Sequence, residues 1–120
     1  MHPASFALVL GVAALAATPA AAADVEHGRQ LFLACAACHT DRPDALGPNL
    51  KGVVGRQAGG REDFRYSGPM KRAGFVWDEA NLREYLADPQ GKVKGNRMPF
   101  AGLSNAKDID DVVAYLATLR

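Results

Sequence analysis

The sequence predicts an all-α domain, and three observations carry that expectation. A final segment repeats Ile109, Val112, Val113, Leu116 and Leu119 on one helical stripe. The alternating apolar pattern of strands is nearly absent. A C-x-x-C-H pentad, Cys35-Ala-Ala-Cys38-His39, stands where a first helical segment ends. With 120 residues the chain has room for one domain, and it carries no internal repeat.

Met1 to Ala23 reads as a secretory signal. It has an apolar run from Phe6 to Ala17, helix-breaking Pro19, and Ala21-Ala22-Ala23 as a small-residue cleavage site before Asp24. The run is short for a transmembrane helix, and an uncleaved membrane anchor is the competing reading. All 14 basic and 13 acidic side chains lie from Asp24 onward, so the net charge of +1 belongs to the domain 24–120. A near-neutral balance argues against nucleic acid or strongly acidic membranes as partners.

Within that domain, Leu31, Phe32 and Ala36 suit a helix over residues 25–37 that delivers the pentad, with Gly28 available for close approach. Residues 40–60 hold Pro43, Pro48, Gly47, Gly52, Gly55, Gly59 and Gly60 without a sustained period, and read as a wrapped loop. Asp78 is a candidate N-cap for a helix through Ala87 with Leu82, Tyr85 and Leu86 on one face, and Pro89 ends it. Residues 91–102 are irregular. Ser104 or Asn105 caps the last helix, whose first turns carry Asp108, Asp110 and Asp111, where the helix dipole favours acids.

The pentad is the attachment signature of c-type haem. Two thiols three residues apart on a helix can add to the two vinyl groups of one porphyrin, and His39 then lies under the iron. A thioredoxin-like reading wants a βαβ context that is not visible. Structural zinc needs four ligands, and adjacent Cys38 and His39 cannot easily take two tetrahedral corners. A disulfide at this spacing closes a small, strained ring and suits the apoprotein before attachment. A buried haem would also supply the core that so small a domain lacks. The second axial ligand must come from His27, Met70 or Met98. His27 precedes the pentad on the same helix and is assigned to the surface, and Met70 to a loop or the core. Met98 lies in a Gly-bounded loop beside Pro99 and Phe100, which could press its thioether onto the iron, and is the preferred ligand.

Further motifs follow in order: Gly47-Pro48-Asn49-Leu50, Gly55-Arg56, Phe64-Arg65-Tyr66-Ser67, Phe75-Val76-Trp77, Leu82-Arg83-Glu84-Tyr85-Leu86, Asn96-Arg97-Met98-Pro99-Phe100 and Asp111-Val112-Val113-Ala114-Tyr115-Leu116. With the pentad, this series resembles class I cytochrome c, close to the mitochondrial and bacterial cytochrome c2 group, over essentially all of residues 24–120. The resemblance implies a cytochrome c fold of about three main helices, with short helices and long loops wrapped around one covalently attached haem c. It implies thioether attachment at Cys35 and Cys38, axial ligation by His39 and Met98, and a Pro48 carbonyl accepting from the free ring nitrogen of His39. Arg56, Tyr66, Trp77 and Asn96 would meet the inner propionate, Tyr85 would donate toward the Met98 sulfur, and Gly28, Phe32 and Tyr115 would form the crossing of the first and last helices.

A six-coordinate iron has no open position for substrate, so the expected function is a monomeric, periplasmic one-electron carrier and not an enzyme. The implied partners are redox proteins such as a cytochrome bc1-type complex, a terminal oxidase, a reaction centre or a periplasmic dehydrogenase, in a respiratory or photosynthetic chain. No stable membrane insertion is expected after cleavage. A dedicated cytochrome subunit of a periplasmic dehydrogenase is the alternative, and a ligand-binding or peroxidase-like haem protein a third. Lys92, Lys94, Arg97 and Lys107, with no acid between Pro89 and Lys107, offer a cationic docking stretch for an acidic partner. The chain departs from the lysine-rich mitochondrial pattern, with lysines only at 51, 71, 92, 94 and 107 and one residue fewer between Phe32 and Cys35.

Overall fold

A computed structural model of the protein describes residues 3–5, 7–9, 11 and 22–120. The expected leader therefore lies largely outside the described residues. Among those that are described, no helix is long and apolar enough to cross a membrane. The helices are α1 (Val25–Ala36), α2 (Gly68–Lys71), α3 (Glu79–Ala87), α4 (Pro89–Lys92) and α5 (Ala106–Leu116). The only extended pairing among the described residues is a single antiparallel bridge between Gln57 and Val76. The all-α expectation holds.

Each long helix starts at a side-chain cap that offers an oxygen to an otherwise unpaired backbone N–H. Asp24 accepts from the His27 N–H, Asp78 from that of Asn81, and Asn105, not Ser104, from those of Lys107 and Asp108. Pro89 ends α3 as expected but also opens α4, a single turn whose N-cap is Asp88. Helix α2 is likewise one turn, opened by Ser67 and Pro69. Single turns leave no period to read, so residues 91–92 were expected to be irregular and residues 68–71 gave no helical signal. Leu119 lies beyond the end of α5 but still packs on the core.

Ile109, Val112, Val113 and Leu116 are all buried on α5, each contributing about 1.5–3 kcal/mol relative to exposure. Across them runs α1. At the crossing, a Cβ on Gly28 would stand 2.0 Å from the Asp111 carbonyl oxygen and 3.0 Å from the Tyr115 Cβ, so only glycine permits this approach. One turn on, the Phe32 and Tyr115 rings meet at 5.1 Å between centroids. Helix α3 also packs on α5, and α4 on α3. The loop after the pentad is fastened to the core by Gly52 N–H donating to the Leu119 carbonyl at 2.7 Å and by Gly55 N–H donating to that of Trp77 at 2.8 Å.

The crossing yields a direct expectation. Gly28→Ala forces α1 and α5 apart and lowers holoprotein stability by about 2 kcal/mol, read as a lower denaturant midpoint. An unchanged midpoint would show that the close approach is not required.

Candidate haem-binding site

The pentad straddles the end of α1. Cys35 occupies its last turn, and Cys38 and His39 follow in a turn whose N–H groups both return to the Cys35 carbonyl, at 3.1 and 3.0 Å. Both cysteines are free thiols and partly buried. Burial, and then the neighbouring Cys38, raise the Cys35 thiol above its ordinary pKa.

His39 is oriented by the loop that follows. Its Nδ1 lies 2.7 Å from the Pro48 carbonyl oxygen, as the resemblance implied. A carbonyl can only accept, so Nδ1 carries the proton and the lone pair sits on Nε2. Burial lowers the imidazole pKa against the opposing pull of that hydrogen bond, and the Arg56 charge lowers it further. The ring is therefore a neutral donor of one lone pair. Gly47 makes the arrangement possible: its N–H donates to the Cys38 carbonyl at 3.0 Å, and a Cβ there would stand 2.7 Å from His39 Cε1. Gly47 stood in a motif, but its function as a cradle depends on a ring eight residues away and was not evident from the sequence.

Arg56 and Trp77 are joined through the backbone, the Trp77 N–H donating to the Arg56 carbonyl at 2.8 Å. The guanidinium reaches the carbonyls of Lys51 and Asn49, at 3.1 and 3.0 Å, and keeps further N–H donors beyond those two bonds. Tyr66 stacks edge-on with Phe64, and its hydroxyl accepts from the Arg61 N–H at 3.3 Å, which leaves its own proton available. Trp77 is buried between Phe75 and Tyr85, with ring centroids at 4.8 and 4.9 Å.

Tyr85 donates its hydroxyl toward the Met98 sulfur at 3.9 Å. Burial pushes its pKa up to about 12, so the phenol stays protonated and remains a donor. Met70, by contrast, is buried in the core cluster.

Asn96 corrects the sequence reading. Its amide group donates to the Pro89 and Val93 carbonyls at 3.0 and 2.9 Å, and its Oδ1 accepts from the Met98 N–H at 2.9 Å. Both side-chain N–H donors are occupied, so none is left for a propionate. The side chain instead clasps the end of α4 to the Met98 loop. Gln90 completes the clasp, donating to the Asn96 carbonyl at 2.8 Å and accepting from Gly95 N–H at 3.1 Å.

Two further expectations change. Lys92 is bound to Glu84 and Asn81 and lies over the Phe75 ring, and Lys107 is bound to Asp111, so two of the four expected docking cations are paired with acids within the chain, while the Arg97 guanidinium donates to the Arg65 carbonyl at 3.0 Å. His27 is not a simple surface residue, since its Nδ1 lies 2.8 Å from Asp111 Oδ2. Among the described residues, no group of three or more His, Cys, Asp or Glu side chains gathers as a metal cluster.

The donor set fits a covalently held haem: free thiols at a helix end, an imidazole with its Nε2 lone pair available, and a thioether on a braced loop. Comparison with known proteins agrees. The cytochrome c family model matches residues 25–120. Cytochrome c2 of Rhodoblastus acidophilus is 46% identical over 102 residues, covering 82% of this chain and 95% of that one. Cytochrome c2 of Rhodomicrobium vannielii is 42% identical, covering 98% of this chain and 97% of the relative. Among solved structures, cytochrome cH from Methylobacterium extorquens superposes with a TM-score of 0.75 at 45% identity, covering 79% of this chain and 98% of the other. On the fold, the ordered site and these matches, the chain belongs to the cytochrome c family, as an electron-transfer protein with one covalently bound haem c.

Proposed function

We propose that the protein is an exported, periplasmic one-electron carrier with domain 24–120 as its mature form. In this reading Cys35 and Cys38 would hold the haem by thioether bonds, and His39 and Met98 would supply the ligands to its iron. The observation that carries the assignment is that each ligand is braced by its own hydrogen bond, His39 by the Pro48 carbonyl and Met98 by the Tyr85 hydroxyl. When bound, haem c supplies a one-electron Fe(III)/Fe(II) couple.

The chain's contribution is to hold both axial side chains and exclude other ligands. Pro48 keeps His39 in one tautomer and raises its basicity. Asn96 and Gln90 hold the Met98 backbone, so the thioether need not be ordered afresh at each change of valence. Arg56, Tyr66 and Trp77 are the groups proposed to face the buried propionate, a charge that is costly to bury unless paired and hydrogen-bonded. Proposed partners are redox proteins such as a cytochrome bc1-type complex, a terminal oxidase, a reaction centre or a periplasmic dehydrogenase. Because Lys92 and Lys107 are occupied internally, Lys94 and Arg97 are the cations of that stretch assigned to contact an acidic partner.

Three outcomes test this reading. The purified holoprotein shows a sulfur-to-iron charge-transfer band that Met98→Ala abolishes, with fast carbon monoxide binding gained by the reduced variant; survival of the band refutes Met98 as ligand. Tyr85→Phe removes a donor that draws electron density from the sulfur, and lowers the midpoint potential by about 40 mV, the equivalent of about 1 kcal/mol. An unchanged or higher potential contradicts that role. Finally, the protein elutes as a free monomer from a periplasmic extract. Stable copurification with a large dehydrogenase subunit would replace the diffusing carrier with a dedicated subunit.

A further inference from the structure

Asp111 is the most deeply buried charged residue of the core, 1% exposed, and three donors converge on it from both crossing helices. Lys107 Nζ reaches Oδ1 at 2.5 Å from one turn back on α5. His27 Nδ1 reaches Oδ2 at 2.8 Å from α1. The third donor is the backbone nitrogen of Asp24, 2.7 Å from Oδ1. Asp24 is pinned by every polar group it has: its side chain accepts from the His27 N–H at 3.0 Å, and its carbonyl accepts from the Gly28 N–H at 2.9 Å. Ala22 and Ala23, immediately before it, are exposed, and among the described residues their one polar contact is a long one of 3.4 Å from Lys107 Nζ to the Ala22 carbonyl. Firm anchoring of the domain thus begins at the residue where the sequence places cleavage.

We propose that hydrolysis of the Ala23–Asp24 bond turns the Asp24 nitrogen into an ammonium already seated on Asp111, so that the mature amino terminus becomes a member of the α1/α5 clasp. Water adds its hydroxyl to the Ala23 carbonyl carbon, and the nitrogen takes one proton from water and a second from the acid so formed. The donor atom need not move; a hydrogen bond in which only the Asp111 carboxylate is charged becomes an ion pair charged on both sides. The charged groups facing it are Lys107 and Asp111 from α5, His27 from α1, the Asp24 carboxylate itself, and Asp108, 4.0 Å from His27. The donors, Lys107 first, already hold the Asp111 carboxyl well below the usual range. The inference rests on the proposed removal of residues 1–23 and adds that removal completes a fold-stabilising ion pair.

The pH dependence has a definite sign. Pairing raises the α-amino pKa in the folded state, so its contribution is complete below the unfolded value of about 8 and is lost as pH rises through the higher folded value. The test expresses the full precursor with haem attachment, measures the intact mass of the purified holoprotein, and acetylates its α-amino group selectively. A chain beginning at Asp24 is expected. Acetylation should then raise the unfolding equilibrium constant up to about fivefold at pH 7, the upper range for a partly exposed ion pair, with the gap from the untreated protein closing at alkaline pH. In Asp111→Asn acetylation should change nothing, and if that variant does not fold the wild-type arms decide alone. A mass that retains residues before Asp24 overturns both the processing and the pair, whereas a terminus at Asp24 whose acetylation leaves stability unchanged overturns the pair alone.

Discussion

At Gly28 the backbone of α1 rests directly on the Asp111 carbonyl of α5, and the position of most of the domain follows from that contact. It sets the depth at which α1 lies, and so where the pentad at its far end emerges. It also brings the Phe32 and Tyr115 rings to 5.1 Å and turns Asp111 inward, where His27, Lys107 and the Asp24 nitrogen surround it. A single missing Cβ thus couples the two ends of the chain. The coupling is steric, since two packed helices cannot relieve a 2.0 Å contact without moving apart along their whole length.

From that frame, the site is built by loops whose order comes from hydrogen bonds more than from regular structure. Nearly every polar side chain at the site is held by a backbone group: His39 by Pro48, Arg56 by Lys51 and Asn49, Asn96 by Pro89, Val93 and Met98. This is an effective way to hold a loop that has no ladder of its own, because each carbonyl and N–H is an obligatory partner once buried. It also separates two tasks that the same sequence motif had merged. Met98 is the residue proposed to supply a sulfur, while Asn96, two residues earlier, fixes the backbone that presents it.

The surface shows the converse. Lysines that look free in the sequence are bound by acids four to eight positions away, Lys92 by Glu84 and Lys107 by Asp111. The charge pattern of a segment is therefore a poor guide to the field it presents, since pairing within the domain cancels part of it before any partner approaches. What remains to steer a redox partner is a smaller cationic patch than the stretch from Pro89 to Lys107 implies.

Much of the fold and the core of the site were legible in the sequence because they depend on local spacing. The pentad, the caps at Asp78 and Asn105, and the apolar stripe of α5 are each set within a few residues, and the fold class followed from them. One-turn helices such as α2 and α4 were not legible, having too few residues to show a period. Nor were the contacts that join segments far apart: His27 and Asp24 to Asp111 across more than 80 positions, or the Gly47 backbone against His39. The residue types at these positions were plain from the start. Which of them meet was decided only when the helices crossed and the loops closed, because a side chain's partner is chosen by distance in space, and that distance is a property of the whole packed chain.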